Sequence, residues 1–119
     1  MTDPMENAVI DIAAFEDLKA TAGADFVKEL VDTFLADAPA MLEGLRKTMA
    51  ADDATGFRRT AHSLKSNSNT FGAFRLGAMA KELETGGIAP VRAANGAPID
   101  AVEAEFARVA KALTELKHA

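Results

Sequence analysis

His62 and Lys65 stand three positions apart in the run Ala61-His62-Ser63-Leu64-Lys65-Ser66-Asn67-Ser68-Asn69-Thr70-Phe71-Gly72-Ala73. That spacing puts an imidazole and an ammonium on one side of any helix that carries them. A neutral imidazole is a good nucleophile near pH 7, and a phosphorylated one carries oxygens that a lysine ammonium stabilises. Arg58 and Arg59 lie close before the histidine, and Gly56 to Lys65 contains no acid in a chain of net charge −5. A basic patch of this kind attracts an acidic partner site. Ser66 and Asn67 have small side chains that let another protein approach closely. Each residue taken singly has a plainer explanation, since a half-exposed helical histidine is usually incidental and surface lysines and arginines are usually just solvated.

The apolar pattern around this segment predicts helices. Phe57, Ala61, Leu64, Ser68 and Phe71 share one face of a helix that begins close to Asp53. The run Ser66 to Thr70 has poor helix propensity, but Phe71 keeps the phase, so the helix is expected to reach about Thr70. With Arg58 as angular origin, His62 falls at about 40°, Lys65 at about 340° and Asn69 at about 20°, beside a core face centred near about 260°. A ring in that position is half-covered: ordered by its neighbours, yet open to solvent on one side.

Before this helix, Phe26, Val27, Leu30, Val31, Phe34 and Leu35 form a helical stripe from Asp25, and Met41, Leu42, Leu45 and Met49 continue it. Asp37-Ala38-Pro39 predicts a bend or restart between the two groups. A shorter helix is expected from an Asp11 cap to just before Gly23. After the histidine helix, Gly72 suits a tight reversal into a fourth helix carrying Phe74, Leu76, Met79, Ala80 and Leu83. Gly86-Gly87 stops it, and Gly86 to Pro98 reads as a flexible loop. Ile99, Val102, Phe106, Val109, Leu113 and Leu116 mark the last helix. No strand-like alternation of any length is present. The expected fold is all-α, an antiparallel four-helix bundle with a short additional N-terminal helix, forming one domain over residues 1–119.

Composition narrows the function classes. A chain of 119 residues with 49 % hydrophobic and 26 % charged residues reads as an ordinary globular domain. Cysteine is absent, which excludes disulfides and thiolate metal sites. The first fifteen residues contain Asp3, Glu6 and Asp11 without Lys or Arg, unlike an export signal, and no apolar run approaches the roughly 18 residues of a membrane span. A cytoplasmic protein is therefore expected, without nucleic-acid or membrane partners. Met1 and the length lead to the expectation of a free-standing domain, with an excised piece of a larger kinase as the alternative, and a monomer is expected.

His62-Ser63-Leu64-Lys65, the small polar residues after it and Phe71-Gly72-Ala73 resemble the signature of histidine-phosphotransfer (HPt) domains, which relay phosphoryl groups in two-component signalling. Phe26 to Leu45, Ala61 to Ala73 and Leu76 to Glu84 also resemble that family's layout, so the likeness covers most of the chain. It implies that His62 is the phosphorylated residue, Lys65 its charge-stabilising partner and Gly72 a structural position. Arg58, Arg59, Ser66, Asn67 and Asn69 are expected to form the environment met by a partner and its phosphoryl group. The implied partners are response-regulator receiver domains, and a hybrid sensor histidine kinase. No cofactor is expected in this chain, the Mg²⁺ of the reaction belonging to the receiver. One departure is Ser66, where the family usually has glycine after the lysine.

Two rival readings remain at this point. Glu115 and His118 match half of a di-iron bundle motif, Glu-x-x-His, but no second copy exists. A helical bundle that binds a partner without phosphoryl chemistry is the stronger competitor.

Overall fold

A computed structural model describes residues 9–117. Within these residues six helices follow one another: α1 (Ile12–Ala22), α2 (Ala24–Ala50), α3 (Ala54–Thr70), α4 (Phe74–Gly86), α5 (Ile88–Ala93) and α6 (Ala97–Lys117). The described residues contain no strand. Helix α2 packs on α3, α3 on α4, α4 on α6 and α6 back on α2, which closes a ring of four around one core. Neighbours run antiparallel. Gly44 faces Thr60 across α2 and α3 while Leu30 and Phe34 share a cavity with Asn67 and Phe71. Likewise Arg46 pairs with Glu103 and Lys117 with Asp32 across α2 and α6. The four-helix bundle with an additional N-terminal helix is thus the observed architecture.

The core contains Val27, Val31, Phe34, Leu45, Phe57, Ala61, Leu64, Phe71, Leu76, Ala80, Ile99, Val102, Val109 and Leu113, all buried. Asp11 and Asp53 cap α1 and α3 by accepting from the amides of Ala14 and Gly56. The polar run of α3 remains helical because its side chains turn back on their own helix: Asn67 donates to the Ser63 carbonyl, Ser68 to Leu64 and Thr70 to Ser66. Burial of Ser68 and Phe71 at its end holds that turn in place.

Three expectations are corrected. No restart occurs at Asp37-Ala38-Pro39: α2 runs through Pro39 as one helix of 27 residues. An interior proline costs about 3 kcal/mol, and burial of Phe34 and Ala38 before it and Leu42 and Leu45 after it offsets that cost. The stretch from Gly86 to Pro98 is not a flexible loop. It contains α5, anchored by buried Ile88 and Val91, and Arg92 of α5 donates to the Met49 carbonyl and the Asp52 carboxylate at the end of α2. Finally, Phe26 and Phe74 are exposed rather than part of their stripes. Phe26 precedes the buried Val27 by one residue, about 100° around the helix, and Phe74 lies more than about 100° from the Leu76, Ala80 and Leu83 face.

Glu105 is a fully buried carboxylate on α6. Its Oε1 accepts from Arg108, whose side chain is largely exposed, while Oε2 has no partner among the described residues. An orphaned buried acceptor costs stability that a methylene of similar volume does not. Glu105→Met is therefore expected to raise unfolding stability by about 1–2 kcal/mol. Urea denaturation measures this, and an unchanged or lowered midpoint would refute it.

Candidate functional site

Helices α3 and α4 are joined by a reversal of Phe71, Gly72 and Ala73, in which the amides of Phe71 and Ala73 both donate to the Ser68 carbonyl. Gly72 has φ +82°, a left-handed conformation that glycine adopts without strain. Its carbonyl accepts from the Asp11 amide at 2.8 Å, tying the start of α1 to this turn. From the reversal the two helices run back along each other in register. Asn69 lies against Gly77, where a Cβ would collide with the asparagine side chain, and His62 meets Glu84.

Glu84 joins the two residues singled out by their spacing. Its Oε2 lies 2.8 Å from His62 Nδ1 and its Oε1 lies 2.9 Å from Lys65 Nζ. The hydrogen bond to the Lys65 ammonium holds the Glu84 carboxyl below its usual range, against a partial loss of hydration, and the His62 ring adds to the lowering. Glu84 is thus ionised near neutral pH and can only accept. Its contribution to the site is present above the ordinary carboxylate range and is lost as pH falls through the lowered value.

The protonation pattern of the ring follows. Since a carboxylate has no proton to give, His62 Nδ1 must donate, and a neutral ring then carries its lone pair on Nε2. The assignment rests on this bonding logic. The His62 side chain is 57 % exposed, against 24 % for Lys65 and 26 % for Glu84. The nucleophilic nitrogen therefore belongs to a ring that is oriented from below and open above.

The other expected site residues surround this group unevenly. Arg58 and Arg59 are exposed on α3 and form no ion pair among the described residues. Ser66 is exposed one position after Lys65, and Asn67 is half-buried with its amide turned onto Ser63. Asn69 points its side chain at α4, away from the His62 ring by two helical turns. From Asp53 to Glu82 the chain carries Arg58, Arg59, Lys65, Arg75 and Lys81 and no acid between. Glu82 and Glu84 are the acids that follow, and Glu84, the one that reaches the histidine, was not singled out by the sequence. The signal was available by counting. A short reversal centred on Ala73 pairs position 62 with 84 and position 69 with 77.

Among the described residues no group of three or more potential ligands could hold a metal ion, and no helix is long and apolar enough to cross a membrane. The Glu115 and His118 motif cannot be followed, because His118 lies outside the described residues.

Residues 29–119 match the family model of the Hpt domain. The phosphorelay protein LuxU of Vibrio harveyi is 31 % identical over 72 residues, which is 60 % of this chain and 63 % of LuxU. The chain thus spans less than two thirds of that curated relative. No solved structure matches.

Proposed function

The chain belongs to the Hpt domain family, and we propose on that footing that it is a phosphocarrier in which His62 accepts a phosphoryl group and passes it on. The observation that carries this reading is the hold of Glu84 on His62 Nδ1, which leaves the Nε2 lone pair on an exposed ring. The donor is the aspartyl phosphate of a receiver domain, or a kinase. The Nε2 lone pair forms the N–P bond while the acyl O–P bond breaks and the aspartate carboxylate leaves with its electron pair. Microscopic reversal of the same step loads a second receiver.

Lys65 stands on the His62 side of α3 and offers its ammonium to the phosphoryl oxygens. Arg58 and Arg59 add positive potential in front of an acidic receiver site, and the small or turned-in side chains of Ser66, Asn67 and Asn69 leave room for it. Gly72 fixes the reversal that sets the register of the site. The receiver supplies Mg²⁺, so this chain works as carrier and substrate rather than as an autonomous kinase. A monomer in the cytoplasm fits that role.

A phosphotransfer profile against the receivers of the source organism tests the proposal. At least one receiver is expected to yield an adduct on this chain that is labile in acid and stable in alkali, and failure of every receiver would leave a binding module without phosphoryl chemistry. Lys65→Ala is expected to slow transfer by about 10-fold or more with helical circular dichroism intact, since Lys65 is not among the buried residues of α3 and alanine is a strong helix former. Unchanged kinetics would reduce Lys65 to ordinary surface charge.

A further inference from the structure

Each oxygen of Glu84 has one partner in the unphosphorylated protein, Lys65 Nζ for Oε1 and His62 Nδ1 for Oε2. Arrival of a phosphoryl group on Nε2 upsets that balance. The ring keeps its Nδ1 proton and becomes a phosphoimidazolium, and two negative charges appear beside a carboxylate that is already ionised. Lys65 then faces two anionic groups with one ammonium, because Glu84 holds it at 2.9 Å and the phosphoryl oxygens lie on the same side of α3. Glu84 is also the acid in contact with His62, while the surrounding stretch from Arg58 to Lys81 carries only cations.

We propose that Glu84 sets the phosphoryl-transfer potential of His62: its carboxylate competes with the phosphoryl group for the Lys65 ammonium and so keeps the phosphorylated state ready to give the group up. The inference rests on His62 being the phosphoacceptor. Glu84 has two consequences of opposite sign. By holding Nδ1 it presents Nε2 for attack, and by its charge it destabilises the product of that attack. On onward transfer the retained Nδ1 proton lets a neutral imidazole leave, so no proton has to move within the protein. Glu84 touches neither donor nor phosphoryl group in this scheme. It is a positioning residue that works through the lysine and the ring.

The probe is potassium phosphoramidate, which needs no receiver. The His62 Nε2 lone pair forms the N–P bond as the phosphoramidate P–N bond breaks and ammonia leaves. Phosphorus NMR reports which ring nitrogen is modified and how fast the adduct decays at neutral pH. In the wild type the adduct is expected on Nε2. In Glu84→Gln it is expected to form more slowly and to live more than about twofold longer, whereas in Lys65→Ala it decays faster. A longer lifetime is a gain that a merely loosened site does not produce. A Glu84→Gln adduct that decays as fast as the wild type or faster, or modification of Nδ1, overturns the proposal. Equal uptake by His62→Gln would instead remove the phosphoacceptor reading itself, and receivers that fail to label the wild type while Glu84→Gln prolongs the chemical adduct would remove the relay and leave this inference standing.

Discussion

Replacement of His62 by glutamine is expected to abolish phosphoryl uptake from a phosphorylated receiver, by at least about 100-fold, while helix content stays at the wild-type level. The side chain sits on the outside of α3 with Glu84 as its polar contact, and the buried face of that helix is made by Phe57, Ala61, Leu64 and Ser68. Glutamine keeps an N–H that can donate to Glu84, so the junction of α3 and α4 loses little. What it lacks is a nitrogen lone pair free to attack, since that of an amide is delocalised into the carbonyl. An amide nitrogen is not nucleophilic, and no other side chain in the group has the geometry to replace the imidazole. His118 is the other imidazole of the chain, so the measurement pairs His62→Gln with His118→Gln. Acid-labile label should vanish in the first variant and persist in the second. Label retained in His62→Gln would refute the assignment of the acceptor.

The parts of this site that were legible in the sequence are those decided within one helix. His62 and Lys65 share a face because of their spacing, and Phe71 extends α3 across a run that propensity alone would have ended at Lys65. Helix α2 shows the limit of local rules: Pro39 argues for a break, and only the burial of Ala38 and Leu42 against other helices explains why none occurs. Helix α5 was hidden for a related reason. Glycine, alanine, proline and asparagine dominate residues 86–98, and the apolar pair Ile88 and Val91 is too short a pattern to stand out until a core is present to receive it. Glu84 lies beyond any reading confined to one helix, because its role depends on the register of α3 against α4. That register is set by the sharpness of the turn at Gly72 and by the close approach of Asn69 to Gly77.

Gly72→Ala is accordingly expected to be among the most destabilising single substitutions, at about 2–4 kcal/mol. The φ of +82° alone costs an alanine about 1 kcal/mol. The larger share comes from contact: a Cβ at this position would lie 2.9 Å from the Asp11 carbonyl oxygen and 3.2 Å from Ala14 Cβ. The first of these is backbone and cannot rotate aside, and it belongs to the residue whose amide donates to the Gly72 carbonyl. Relief requires the first turn of α1 to lift off, which uncovers buried Ile10 and Phe15. Gly72→Asn separates the two contributions, since asparagine tolerates a positive φ better than alanine but carries the same Cβ. If steric contact dominates, the asparagine variant recovers less than half of the loss in urea denaturation; if it recovers nearly all, the backbone conformation is the cause and α1 is only loosely seated. The register of α3 against α4 is held beyond the turn by Asn69 against Gly77 and by Glu84 on His62 and Lys65, so phosphoryl uptake by the folded fraction of either variant should stay close to wild type. A collapse of uptake at temperatures where Gly72→Ala remains folded would mean that these contacts cannot hold the register of His62 and Glu84 without the native turn.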